Sequence, residues 1–219
     1  MTETASPRSS TLLKRQLLEA HRSEFAAGLA RVSEDPSLES AAAVITRSRR
    51  PFVIGAATSF TYASLLAAKM SAALAKVTLV DGTIVRPLEI LSDVHDSDVL
   101  IAISLRPYRR YTIDAAVPFV QAGGALVVIT DDAAAPLAAY ARQVVIVADP
   151  PLAGGDGQRL HPETPAVSPA VVAMVIDILT ALSSASAKGA GRRLADRERL
   201  ASELGLYLSP EPGQRPGTR

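Results

Sequence analysis

Cysteine and tryptophan are absent from the sequence, and aromatic residues make up only 4% of its 219 positions. The lack of cysteine excludes disulfide frameworks and thiol catalysis, and three histidines without any cysteine argue against a zinc site. A core must then consist mostly of alanine, valine, leucine and isoleucine. That composition favours helices packed on a parallel sheet over an aromatic-rich sandwich.

The sequence also has little net charge and no long hydrophobic run. A formal net charge of +1 gives no global reason to expect nucleic acid or an anionic membrane as partner. The first ten residues lack the apolar segment of a signal peptide, and no uninterrupted apolar run is long enough for a membrane span. These features predict a soluble, cytoplasmic protein of one α/β domain with an extra helical piece.

The sequence does contain a regular alternation of two kinds of segment. Apolar, β-branched runs predict five strands, at Phe52–Ile54, Val77–Val80, Val99–Ile103, Ala125–Thr130 and Val144–Ala148. Helix-compatible stretches lie between them, at Thr61–Leu74, Arg86–Ser92, Arg110–Gln121 and Ala134–Ala141. Repeated βα units of this kind predict a three-layer, doubly wound, five-stranded parallel sheet, for which we expect the strand order 2-1-3-4-5.

We expect the chain to contain three regions. They are an N-terminal tail with an amphipathic helix (1–36), the α/β domain that contains this alternation (37–208), and a disordered tail (209–219). The amphipathic helix is predicted at Thr11–Val32, with the preceding ten residues disordered. Within the domain, further helices are predicted at Ser37–Arg47, Ala170–Leu182 and Arg192–Leu204, and a Gly-rich surface loop at 152–160. Ala170–Leu182 is apolar almost all round, so it should lie under the sheet or in a subunit interface.

The first strand ends in a turn suited to an anion. Gly55 lets backbone approach a ligand closely, and Thr58 and Ser59 stand where a helix N-cap belongs. A dinucleotide fingerprint would need glycines where Ala57 and Phe60 stand, so we expect no NAD and no other cofactor. Taken alone, the turn could equally be an ordinary capped helix.

The third strand also runs into a polar turn before a helix, and this turn is rich in arginine. Its candidate ligand-binding residues are Ser104, Arg106, Tyr108, Arg109 and Arg110. Guanidinium groups beside a helix N-terminus favour an anion, although an exposed, solvated basic turn would have the same composition. In the expected strand order the first and third strands are neighbours at the switch point, so both turns should border one crevice.

Three segments carry a family resemblance: Phe-Val-Ile-Gly-Ala-Ala-Thr-Ser at 52–59, Asp-Val-Leu-Ile-Ala-Ile-Ser-Leu-Arg-Pro-Tyr-Arg-Arg at 98–110 and Ala-Leu-Val-Val-Ile-Thr-Asp at 125–131. Over roughly residues 37–185 the chain resembles the sugar-isomerase (SIS) domain, and within it the effector domain of RpiR-type transcription regulators. The resemblance implies a flavodoxin-like parallel sheet, a phosphosugar crevice, and a homodimer or higher homo-oligomer. It also implies phosphate contacts from Thr58, Ser59 and Ser104.

Two departures from the family pattern affect the expected ligand and partner. Where the family has Ser-x-Ser-Gly-x-Thr, this chain continues after Ser104 with Leu-Arg-Pro-Tyr-Arg. The ligand could therefore be a phosphosugar, another acidic metabolite, or absent. The regulators carry an N-terminal helix-turn-helix domain, whereas about 50 residues without such a pattern precede the first strand here, so we do not expect direct DNA binding.

Few residues could serve as the base that an isomerase needs. Glu89 and His161 are the catalytic candidates, the latter followed by Glu163, whereas His95 should lie at the opposite edge of the sheet. Asp131 and Asp132 follow the fourth strand, where they could bind a sugar hydroxyl but are better suited to capping the next helix.

The leading hypothesis is a non-catalytic phosphosugar-binding sensor or regulator whose ligand biases a dimer interface. The first alternative is an aldose–ketose phosphosugar isomerase that uses Glu89 or His161. The second is a structural module whose Arg-rich turn meets an acidic protein surface.

Overall fold

A five-stranded parallel sheet forms the centre of the protein, in the order β2-β1-β3-β4-β5. The fold is seen in a computed structural model, which describes residues 7–148 and 167–207. The strands are β1 (Arg50–Gly55), β2 (Thr78–Val80), β3 (Asp98–Ser104), β4 (Ala125–Thr130) and β5 (Gln143–Ile146). Both the parallel sheet and its strand order confirm the sequence-based prediction.

Helices cover both faces of this sheet. They are α1 (Pro7–Glu34), α2 (Ser37–Arg47), α3 (Thr58–Ala73), α4 (Pro87–Leu91), α5 (Arg110–Gln121), α6 (Pro169–Ser186) and α7 (Ala190–Glu203). Residues of β3 alternate between the two faces: Val99, Ile101 and Ile103 pack with α2, α3 and α6, whereas Leu100 and Ala102 pack with α4 and α5. Because both faces are covered, every residue of β3 is buried.

Some element boundaries differ from the prediction. The helix predicted over Ala134–Ala141 is only a short 3₁₀ turn at Ala138–Tyr140. Pro136 explains the loss, since proline cannot donate a helical hydrogen bond and its ring disfavours the helical conformation of the residue before it. The helix α1 begins at Pro7, inside the stretch predicted to be disordered, and α6 extends beyond Leu182 to Ser186.

The apolar helix α6 is a core element. It is long and apolar enough to cross a membrane by length and composition, and no other described helix is. Val172, Val175, Ile176 and Leu179 are nevertheless fully buried in the cluster that α6 shares with α2 and α3. The packing confirms the first of the two places predicted for this helix, under the sheet.

The N-terminal helix α1 lies close against α6 at Gly28. A Cβ added to Gly28 would lie 2.5 Å from Val171 Cγ2, so glycine lets the two helices approach here. Much of the apolar surface of α1 is left exposed, at Leu12, Leu13, Leu17, Leu18, Phe25 and Leu29. The predicted loop at 152–160, His161, Glu163 and the tail at 209–219 lie outside the described residues.

Candidate functional site

The turn between β1 and α3 brings backbone unusually close to the strand. A Cβ on Gly55 would lie 2.5 Å from the carbonyl oxygen of Ser59, so only glycine allows this approach. The N-cap position is held by Ala57, at φ 53° and ψ −127°, a conformation that side-chain-bearing residues rarely adopt. Thr58 and Ser59 are therefore the first helical residues, and the expectation that one of them is the N-cap is wrong.

The last residue of β3, Ser104, has a buried hydroxyl with no hydrogen-bond partner in the described part of the chain. The residue is 3% exposed and closes the strand at the point where the chain turns towards α5. By strand alternation its side chain lies on the same face as Leu100 and Ala102, the face that α5 covers. A buried hydroxyl without a partner costs about 1–3 kcal/mol, so a ligand that supplied the missing bond would recover that energy.

The helix α5 begins beside this hydroxyl with two consecutive arginines. Arg109 is the N-cap residue and Arg110 is the first helical residue. Both are exposed, and neither forms an ion pair with any residue the structure describes. Their positive charge adds to the unpaired N–H groups and the positive dipole end of a twelve-residue helix, an arrangement suited to an anion.

Arg106, in contrast, already has carboxylate partners. Its Nη2 donates to Asp132 Oδ2, and its Nε lies 3.3 Å from Asp131 Oδ2. The guanidinium also lies over the ring of Tyr108, 5.8 Å from the ring centre, with Nε 3.4 Å from the hydroxyl. Contact with Tyr108 and the charges of the two aspartates raise the pKa of Arg106. Burial raises the pKa of Tyr108, so its hydroxyl is neutral near pH 7.

The sheet register places these groups side by side. Gly55 stands opposite Ile103 in the β1–β3 pair, so the turns that follow these two strands are neighbours at the carboxyl edge. Ser104 stands opposite Thr130 in the β3–β4 pair, and the Thr130 hydroxyl donates to the Ser104 carbonyl at 2.8 Å. The juxtaposition predicted for the two turns is therefore observed, and the end of β4 adjoins them.

The two aspartates after β4 have different structural roles. Asp132 Oδ1 accepts a bond from the Ala134 N–H at 2.9 Å, so it caps a turn; the helix that it was predicted to cap is only the 3₁₀ turn at Ala138–Tyr140. Asp131 makes no such bond; its side chain is 3% exposed and faces Arg106. The local sequence does not predict the ion pairs between Arg106 and these aspartates, because some 25 residues of chain separate the guanidinium from the carboxylates.

Of the possible bases that the structure describes, Glu89 is paired with an arginine and His95 lies at the other edge of the sheet. Glu89 accepts hydrogen bonds from the Arg86 backbone N–H and guanidinium, and the guanidinium lowers the pKa of this carboxyl. His95 lies beside Asp93 at the amino edge, as expected, with Nε2 3.1 Å from the carboxylate. The other catalytic candidate, His161, is not among the described residues.

A separate groove lies beyond the site, between β5 and the turn that precedes it. Its volume is about 330 Å³, and only apolar side chains line it, those of Ala133, Ala134, Ala135, Ala138, Ala139, Val144 and Ile146. Its side chains provide no charge or hydrogen-bond donor for an anion, so the candidate site remains the edge between β1, β3 and β4.

Comparison with known proteins decides the family. The model of the SIS domain matches residues 44–176, more than half of the chain. The chain belongs to the SIS domain family. No curated protein matches the sequence.

Solved structures share this SIS fold at low sequence identity. The sugar isomerase domain of an RpiR transcription factor from Sphaerobacter thermophilus aligns with TM-score 0.71 and 20% identity, over 88% of this chain and 99% of that one. The Vibrio vulnificus NanR protein complexed with ManNAc-6P aligns with TM-score 0.68 and 16% identity, over 90% and 74%.

A third similar structure is that of an inferred isomerase. The MJ1247 protein of Methanococcus jannaschii, whose structure infers 3-hexulose-6-phosphate isomerase as its function, aligns with TM-score 0.63 and 13% identity, over 83% and 97%. SIS folds of both regulators and an inferred isomerase are thus similar to this chain.

Proposed function

We propose that this SIS domain binds a phosphosugar at the carboxyl edge of β1 and β3 and acts as a non-catalytic sensor or regulator. The observation that carries the proposal is the buried, unpartnered hydroxyl of Ser104 beside the first turn of α5. The phosphate would accept bonds from this hydroxyl, from Thr58 and Ser59, and from backbone N–H groups at the starts of α3 and α5. NanR, which is similar in fold, was solved with ManNAc-6P, and that supports a phosphosugar as the ligand class.

The three arginines would have different roles in this site. Arg109 and Arg110 have no ion pair among the described residues, so they would meet the phosphate directly. Arg106 and Tyr108 would line the crevice beside the phosphate, where the guanidinium already contacts two carboxylates. Gly55 would serve by its close backbone approach rather than by a side chain.

Calorimetric titration with a panel of sugar phosphates tests this proposal. We expect at least one to bind, and we expect Ser104→Ala and Arg110→Ala each to weaken binding about tenfold, since a hydrogen bond to a charged group is worth about 1.5–3 kcal/mol. Arg142→Ala is the matched control, because Arg142 is an exposed arginine that precedes β5 at the opposite edge. Failure of every sugar phosphate to bind would refute the proposal.

The second candidate function is an aldose–ketose phosphosugar isomerase, which the likeness to the MJ1247 protein favours. It needs a base with a pKa near 7, whereas Arg86 holds the pKa of the Glu89 carboxyl below its usual value. Turnover of any sugar phosphate that is abolished by Glu89→Gln or His161→Ala would establish this alternative. Turnover that survives both substitutions would show that neither residue is the base.

We also propose that the protein is a homodimer in the cytoplasm and that the dimer forms through α1 and the exposed side of α6. The exposed apolar side chains of α1 support an interface, since six of them lie along one helix. Sedimentation analysis should give twice the mass of one chain, and Leu18→Glu should give the monomer. Glu19→Lys changes a neighbouring charge and is the control.

A further inference from the structure

A cluster of two carboxylates and one guanidinium closes the site on the β4 side. Arg106 contacts both Asp131 and Asp132, and it is the cation that the described residues place against them. The neighbouring Tyr108 contributes a hydroxyl and no charge. Two carboxylates against one guanidinium leave about one unit of negative charge at this end of the site.

The charge at the start of α5 has the opposite sign. Arg109 and Arg110 stand at the start of α5 without carboxylate partners in the described part of the chain. The site therefore has a positive side at α5 and a negative side at the end of β4. A ligand that spans both sides would meet a change of sign along its length.

The two sides belong to one site because β3 and β4 are paired at their ends. Ser104 stands opposite Thr130, and the carboxylates follow Thr130 directly in the chain. Arg106, two residues after Ser104, reaches across to both of them. The hydroxyl of Ser104, 3% exposed and without a partner among the described residues, offers a ligand one hydrogen bond at the end of β3.

We propose that Asp131 and Asp132 make the site selective for phosphosugars with a single anionic group. The hydroxyl- or amino-bearing end of the sugar would lie against the carboxylates, which accept hydrogen bonds from such groups. Sugars that carry a second anion there, namely aldonic acid phosphates and bisphosphates, would be repelled. This inference rests on the proposed phosphosugar site and specifies the class of ligand that the site accepts.

Matched ligand pairs test the selectivity by calorimetric titration of the full chain. Each sugar monophosphate that binds is compared with its aldonic acid phosphate and its bisphosphate, for instance glucose 6-phosphate with 6-phosphogluconate and glucose 1,6-bisphosphate. We expect the wild type to prefer the monophosphate by about tenfold or more, and Asp132→Asn to reduce that preference to about threefold or less. The asparagine keeps an oxygen that can accept from the Ala134 N–H, so the turn is preserved.

Two further variants keep the test decisive. Asp131→Asn removes the other carboxylate at equal volume and should have the same effect. Asp96→Asn removes an exposed carboxylate at the amino edge and should leave the preference unchanged. Equal binding of both members of a pair by the wild type, or a preference that both substitutions leave intact, would overturn the inference while the phosphosugar site stood. Failure of all monophosphates to bind would instead refute the site itself, and the inference with it.

Discussion

The two edges of the sheet each hold one arginine between two aspartates, and the two arrangements differ in how completely the arginine is satisfied. At the amino edge Arg50 binds Asp98 and Asp93; at the carboxyl edge Arg106 binds Asp131 and Asp132. Residue types alone would assign the same role to both.

All three nitrogens of the amino-edge guanidinium donate hydrogen bonds. Its Nε and Nη2 donate to the two oxygens of Asp98 at 3.0 and 2.5 Å, and its Nη1 donates to Asp93 at 2.8 Å. Asp98 accepts a further bond from the His95 N–H at 2.9 Å, and its side chain is fully buried. Such a bidentate pair fixes the start of β1 against the start of β3.

The carboxyl-edge arginine is held more loosely. Its side chain is 41% exposed, against 22% for Arg50, and its contact with the buried carboxylate of Asp131 is 3.3 Å long. An unpartnered hydroxyl and two arginines without ion pairs surround it within the described chain. Hydrogen-bonding and charged groups that lack a partner, rather than the presence of charge, therefore distinguish the candidate site from a structural cluster.

The largest expected effect is a loss of stability at the amino edge. Arg50→Ala should lower the free energy of unfolding by about 3–5 kcal/mol, because it leaves the buried carboxylate of Asp98 without its partner. Urea denaturation measures this loss. Arg49→Ala is the control, since Arg49 is exposed and should change stability by less than about 0.5 kcal/mol. A loss below about 1 kcal/mol for Arg50→Ala would show that the cluster is not structural.

Acid denaturation independently tests whether Arg50 stabilises the buried carboxylate of Asp98. Burial would raise the pKa of Asp98, but hydrogen bonds from Arg50 and from the His95 N–H outweigh it and lower the pKa. A lowered pKa contributes stability that is present above the unfolded value, about 4, and is lost as the pH falls through the folded value. The wild type should therefore lose stability below about pH 4 more steeply than Arg50→Ala, and Arg49→Ala should follow the wild type.

A smaller loss is expected at the carboxyl edge. Arg106→Ala should lower the free energy of unfolding by only about 1–2 kcal/mol. Asp132 is partly exposed and can be solvated, and the buried carboxylate of Asp131 loses only a 3.3 Å contact with a partly exposed guanidinium. Urea denaturation beside Arg50→Ala makes the comparison direct. If the two substitutions cost the same, the carboxyl-edge cluster would be as structural as the other, and the contrast between the edges would fail.

The sheet was predictable because its strands are nearly continuous apolar runs. Val99–Ile103 is buried on both faces and is apolar throughout, and the predicted strand order follows from parallel βα units. The turn after β4 was not predictable from its alanines, because Pro136 outweighs their helix propensity.

The position of the candidate site was predictable, but the pairing of its charged side chains was not. Strand order alone brings the turns at Gly55 and Ser104 together. Whether Arg106 is free or paired depends on how far its side chain reaches across β3 and β4, and a linear pattern does not encode that distance. The sequence therefore indicated three equivalent arginines, whereas the structure separates Arg106 from Arg109 and Arg110.

The smallest effect concerns backbone strain at the two edges. Ala57 at the carboxyl edge has φ 53°, and Lys76, before β2 at the amino edge, has φ 62°. A strained residue costs about 1–3 kcal/mol, and glycine relieves the strain at an entropic cost of about 0.5–1 kcal/mol. Ala57→Gly and Lys76→Gly should therefore each raise the free energy of unfolding by about 0.5–1 kcal/mol in urea denaturation.

Only one of these two substitutions should affect the ligand. Ala57 fixes the backbone that leads into Thr58 and Ser59, so Ala57→Gly should loosen this turn and weaken phosphosugar binding about twofold to threefold. Lys76 lies at the other end of the sheet, so Lys76→Gly should leave the affinity unchanged. Equal affinities for wild type and Ala57→Gly would mean that the strained backbone at Ala57 does not contribute to ligand binding. The two edges would then differ in the hydrogen bonding of their side chains and not in backbone strain.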